Sequence, residues 1–80
     1  MRLYGRNYCH LCHDMLAALE ALRGEPRVPH FELAIFDVDA DAALEARYNE
    51  LVPVLTDERD RELCHYLLDA AKVREYLNKV

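Results

Sequence analysis

Tyr4-Gly5-Arg6-Asn7-Tyr8-Cys9-His10-Leu11-Cys12 joins a short apolar strand to a helical run, and its two thiols stand three residues apart. On the first turn of a helix, two such thiols can close a disulfide on each other. The first lies where unpaired backbone N–H groups and the helix dipole favour a negative sulfur. A thiolate is the attacking species in disulfide exchange, so the placement favours redox chemistry. The same letters admit two other readings. Cys9-His10-Leu11-Cys12-His13 is also the haem c attachment pattern, and Cys and His clusters bind zinc.

Outward from this stretch, the chain alternates strand and helix signals. Arg2-Leu3-Tyr4 is the strand before it. Cys9 to Arg23 is helical, with Leu11, Met15, Ala18 and Leu22 on one stripe and Leu16 and Leu19 broadening it. Gly24-Glu25-Pro26 stops that helix. His30 to Val38 is the strongest strand, and its near-continuous apolar run predicts burial. Asp39 or Asp41 caps a second helix through about Asn49, with Leu44, Tyr48 and Leu51 as its inner stripe. Val52 to Thr56 is a third strand with proline near its start. Asp57 to Arg61 is a charged turn, and Glu62 to Leu68 completes a hairpin. Asp69 caps a last helix carrying Val73, Tyr76, Leu77 and Val80 on one face. The order β-α-β-α-β-β-α predicts a parallel first βαβ unit, an antiparallel final hairpin, and a four-stranded mixed sheet covered by three helices.

Composition narrows the function. Eighty residues predict one domain over 1–80, near the lower limit for an unstapled core. Hydrophobic residues make up 52% and glycines number two, which argues against disorder. Fifteen acidic residues against ten basic ones give a net charge of −5, with no basic cluster, so no nucleic-acid role is expected. No apolar run approaches the ~20 residues of a membrane span. Met1-Arg2-Leu3-Tyr4-Gly5 lacks a secretory stretch, so a cytoplasmic monomer is expected. Three cysteines in that compartment point to catalysis or metal binding more than to a structural framework.

With Cys-x-x-Cys opening the first helix and Val52-Pro53 opening the third strand, the chain resembles the glutaredoxin branch of the thioredoxin fold over nearly its whole length. Asp37-Val38-Asp39 is similar to the end of the second strand in small bacterial glutaredoxin-like proteins. The resemblance implies a dithiol oxidoreductase in which Cys9 attacks and Cys12 resolves. It places Arg6 where the family has a basic residue, and Val52-Pro53 at the family's cis-proline. Two departures stand out. His10 holds the place where proline is usual, and Leu67-Leu68-Asp69-Ala70-Ala71 lacks the glycine pair that helps bind glutathione.

The candidate residues follow. Cys9 and Cys12 are catalytic candidates, and a protonated His10 would favour the Cys9 thiolate. Arg6 is a candidate grip for a substrate carboxylate, Tyr8 flanks a substrate groove, and Val52 with Pro53 presents backbone to an extended substrate. His13 is expected on the exposed side of the helix. Cys64 and His65 alternate in a strand and so face opposite ways, which keeps them from forming one site. The expected substrate is a disulfide-containing protein or a small-thiol disulfide. Glutathione or a thioredoxin-type reductase is the electron donor, and the domain needs no cofactor of its own. The competing readings are zinc or iron–sulfur binding, with Cys9, Cys12, His13 and a distant Cys64 or His65, and a redox-inactive binding module.

Overall fold

Strand β1, Arg2–Gly5, sets the layering, because alternate side chains of a strand point to opposite faces. Leu3 joins a core with Met15, Leu19, Leu22, Leu55, Leu63, Val73 and Leu77, whereas Tyr4 joins a second one with Val38, Tyr48 and Val54. The computed structural model describes residues 1–79. After β1 come α1 (His10–Arg23), β2 (Ala34–Asp37), a 3-10 turn (Val38–Ala40), α2 (Ala42–Tyr48), β3 (Val54–Thr56), β4 (Glu62–His65) and α3 (Ala70–Lys79). The sheet order is β2-β1-β3-β4. β1 and β2 are parallel, while β1–β3 and β3–β4 are antiparallel. The expected mixed sheet and its three helices are therefore present, with α1 and α3 on one face and α2 on the other.

Four sequence expectations need correction. The strand expected over His30–Val38 is only Ala34–Asp37, and it is exposed, not buried; Ile35 is 61% exposed. The reason is its place at the sheet edge, where one flank has no neighbouring strand. Phe31, outside the strand, is buried instead, under the Arg23 guanidinium at 4.5 Å from its ring centroid. The inner stripe of α1 is Cys12, Met15, Leu19 and Leu22, with Leu11 turned out at 39% exposure and Ala18 half-buried. Leu51 is likewise exposed. β4 stops at His65, short of the expected Leu68, because Tyr66 takes a φ of 63° that no strand accommodates. Val80, expected on the inner face of α3, lies outside the described residues.

The helix caps follow from aspartates. Asp41 Oδ1 accepts the N–H groups of Ala43 and Leu44 at 2.8 and 3.4 Å. Asp37 caps the 3-10 turn through the Asp39 N–H at 2.9 Å. Asp69 Oδ1 accepts from the Lys72 N–H at 3.1 Å at the start of α3. Each satisfies an orphan donor of a helix start.

Two more aspartates secure the hairpin turn. Asp57 accepts from the N–H groups of Arg61 (3.0 Å) and Arg59 (2.8 Å), and these bonds hold its carboxyl below its ordinary range. Asp60 accepts from the Tyr4 hydroxyl (2.6 Å) and the Arg2 guanidinium (2.9 Å), with the same effect on its carboxyl. A carboxylate whose pKa is depressed by folding stabilises the fold above its unfolded pKa, about 3.9, and loses that contribution as pH falls through the folded value. Urea midpoints at pH 6 and pH 3 are expected to differ, and less so for Asp60→Asn than for the parent chain. Equal pH sensitivity in the two would contradict the assigned role of Asp60.

Candidate functional site

The site begins at the N-cap of α1. Cys9 has extended backbone (φ −110°, ψ 107°), so it is the capping residue, one place before the first helical residue. Its sulfur accepts the Cys12 N–H at 3.0 Å, where a serine or aspartate oxygen would ordinarily sit. Cys9 and Cys12 form a disulfide with their Cα atoms 5.1 Å apart, inside the range such bonds need. Cys9 is half-buried, while Cys12 is 7% exposed and points at Gly5 of β1. A half-open cleft of about 180 Å³ borders Cys12 on the β2 side, with Gly5, Leu16, Ile35 and Phe36 in its wall.

The loop before Cys9 is tied down from both sides. A His13 ring nitrogen, Nε2, lies 3.1 Å from the Asn7 carbonyl oxygen and makes the bond that links the loop to α1. The Arg6 guanidinium donates to Asn49 Oδ1 at 2.9 Å and pairs with Asp39 at 3.3 Å. Arg6 Nε is buried and has no hydrogen-bond partner among the described residues. The Val52–Pro53 bond is cis, as the resemblance implied. Pro53 is buried and Val52 half-buried. Tyr66 holds their loop twice: its N–H donates to the Pro53 carbonyl at 2.9 Å, and its hydroxyl donates to the Glu50 carbonyl at 3.0 Å.

The family model of the glutaredoxin-like domain (DUF836) matches residues 1–78. The chain belongs to that family. It is similar to protein Ne2328 from Nitrosomonas europaea, solved by NMR in solution, at 42% identity and a TM-score of 0.79, covering 95% of this chain and 87% of that one. It is also similar to protein XcR50 from X. campestris. The X-ray structure of that protein matches at 37% identity and a TM-score of 0.74 over 99% of this chain and 96% of that one. No curated protein sequence matches it. The glutaredoxin-like family, the mixed sheet and these neighbours make the fold thioredoxin-like. A glutaredoxin-like domain with a Cys9–Cys12 pair at disulfide distance supports a thiol-redox role.

Tyr8 is 96% exposed, directly before the nucleophile candidate. His10 and His13 are both exposed on the first turns of α1. Cys64 is buried in the core, and burial pushes its thiol up. His65 points outward to Glu62 at 2.8 Å, so Cys64 and His65 do face opposite ways. Among the described residues, no three His, Cys, Asp or Glu side chains are placed to hold a metal ion. No helix among them is long and apolar enough to cross a membrane.

Sequence reasoning missed three members of the site. Of the two alternative caps, Asp41 caps α2, and Asp39 pairs with Arg6. Tyr66 emerges as the brace of the Val52-Pro53 loop, and its left-handed backbone gave no signal in the letters. Gly5 emerges as the residue against Cys12. Its one available sign was being one of only two glycines in the chain, placed four residues before Cys9.

Proposed function

We propose that this chain is a thiol–disulfide oxidoreductase, and the observation that carries the proposal is the Cys9–Cys12 disulfide at the N-cap of α1. In the reduced protein, the Cys12 N–H and the helix N-terminus stabilise the Cys9 thiolate. A protonated His10 beside it would add to that, screened by water because the ring is exposed. The Cys9 thiolate attacks one sulfur of a substrate disulfide, and the other sulfur leaves as a thiolate and takes up a proton. Cys12 then attacks the Cys9 sulfur, releasing the second substrate thiol. The substrate gains two electrons, and the Cys9–Cys12 dithiol becomes a disulfide. An external thiol reductant returns it to the dithiol. Tyr8, Val52 and Pro53 flank the approach of an extended substrate, and the Tyr66 brace keeps the last two in place.

The structure also bears on which disulfide is the substrate. Glutathione is anionic, and its ends need cationic or N–H anchors. In this chain both candidate anchors are engaged by the protein itself. Arg6 is paired with Asp39, and the start of α3 is capped by the Asp69 carboxylate. A helix N-terminus favours an anion by about 0.3–1 kcal/mol at an exposed site, and a carboxylate already there offsets that attraction. The net charge of −5 opposes an anion as well. A protein disulfide is therefore the better substrate, and a glutathionylated peptide the poorer one. Turnover of a glutathionylated peptide is to be compared with that of a matched protein disulfide. The expected result is a higher kcat/KM for the protein disulfide. Efficient turnover of the glutathionylated peptide, saturating at low glutathione, would reject this substrate assignment while leaving the dithiol chemistry standing.

A further inference from the structure

We infer that Gly5 is a positioning residue for the Cys12 sulfur, and that its lack of a side chain sets the balance between dithiol and disulfide. The inference deepens the redox reading above and rests on it. Backbone freedom does not explain Gly5, because among the described residues no glycine takes a positive φ. It is an ordinary strand residue of β1, in register with Asp37 of β2. Space explains it. A Cβ on Gly5 would lie 3.0 Å from Cys12 Sγ and 3.2 Å from Cys12 Cβ. Carbon atoms rest best at about 3.5–4.0 Å, so even the Cβ contact is too close. Any other residue at position 5 would press on the sulfur that closes the disulfide.

The contact with Cys12 Cβ is common to both redox states, because the helix backbone fixes that atom, whereas the contact with Cys12 Sγ differs between them. In the disulfide, the Cys12 sulfur is bonded to Cys9, and Cys9 is held in place as the cap of α1. The sulfur cannot retreat without disturbing the cap. In the dithiol, the Cys12 side chain is free to turn to another staggered rotamer. The cleft of about 180 Å³ that borders Cys12 on the β2 side gives it somewhere to go. A methyl group at position 5 therefore penalises the disulfide more than the dithiol. It also slows resolution, in which the Cys12 thiolate bonds to the Cys9 sulfur, the Cys9–substrate S–S bond breaks, and the substrate thiolate leaves and is protonated. It affects the first attack less, because the Cys12 sulfur forms no bond there.

The test equilibrates Gly5→Ala and the parent chain with dithiothreitol redox buffers and measures the oxidised fraction. We expect the oxidised-to-reduced ratio at a given buffer to fall about tenfold, which for a two-electron couple is a potential about 30 mV less negative. Attack by Cys9, followed in a Cys12→Ser background, should change by a smaller factor than the oxidised-to-reduced ratio does. A second variant approaches from the other side. Leu16→Phe fills the cleft that the reduced sulfur uses and should shift the ratio toward the disulfide. It keeps the inference testable if Gly5→Ala does not fold. An unchanged potential in Gly5→Ala, with oxidised and reduced forms losing the same thermal midpoint, would show a purely structural glycine and overturn the inference. A Leu16→Phe potential that does not move toward the disulfide would overturn it as well. The buffer equilibrium reports on the Cys9–Cys12 couple whether or not the chain reduces any substrate, so a failure of the proposed activity would be seen separately.

Discussion

Cys9→Ser is expected to bring disulfide reduction down to the uncatalysed background, whereas Cys12→Ser keeps the first attack and stops after it. The asymmetry follows from geometry. Cys9 caps α1, is half-buried, and has the Cys12 N–H aimed at its sulfur. It is the thiol that a substrate can reach and that the helix start can hold as a thiolate. Cys12 is 7% exposed and faces Gly5, so an incoming disulfide meets Cys9 first. Without Cys12, the mixed disulfide between Cys9 and the substrate has no internal thiol to resolve it and accumulates. Non-reducing mass spectrometry of each variant after exposure to a protein disulfide reads both outcomes. Equal trapping by the two variants would show that the roles of the thiols have been assigned wrongly.

The largest stability effect is expected at Leu19. It is fully buried where α1 meets the sheet, in the core shared with Leu3, Leu55 and Val73. Leu19→Ala removes its methyl groups and leaves a cavity, which costs about 2–5 kcal/mol. Small domains have only about 5–15 kcal/mol in total, so this is a large share. Leu11→Ala, on the outer side of the same helix, should stay within about 0.5 kcal/mol of the parent. Urea denaturation of both variants in the oxidised form measures the contrast. Similar losses at Leu11 and Leu19 would contradict the orientation given to α1.

The element order was legible because periodicity and stop signals agreed. Gly24-Glu25-Pro26 ended the first helix where it ends, and Asp41 and Asp69 sat where caps were needed. The place of β2 in the sheet was not legible. Ile35 and Phe36 read as a buried run, yet letters alone do not tell an edge strand from a central one, because that depends on which strands pair. The inner stripe of α1 was legible in part: Met15, Leu19 and Leu22 are buried as expected, while Leu11 and Ala18 are not. Cys12 turns inward against Gly5, and its apolar neighbour Leu11 turns outward. The dithiol was legible in the spacing of Cys9 and Cys12 at a helix start, and the cis Val52–Pro53 bond through the family resemblance. The ties of Arg6 to Asp39 and Asn49, and of Tyr66 to Glu50 and Pro53, join residues far apart in the chain. No local spacing announces them.

The most direct measurement follows the thiols of the wild-type chain through one turnover. Fully reduced protein is mixed with one equivalent of a protein disulfide, quenched by alkylation, and mapped by peptide mass spectrometry. The account predicts one Cys9–Cys12 disulfide formed for each substrate disulfide lost, two substrate thiols released, and Cys64 still a free thiol. Loss of the substrate disulfide without a Cys9–Cys12 bond, or a dominant bridge between Cys64 and Cys9 or Cys12, would contradict it.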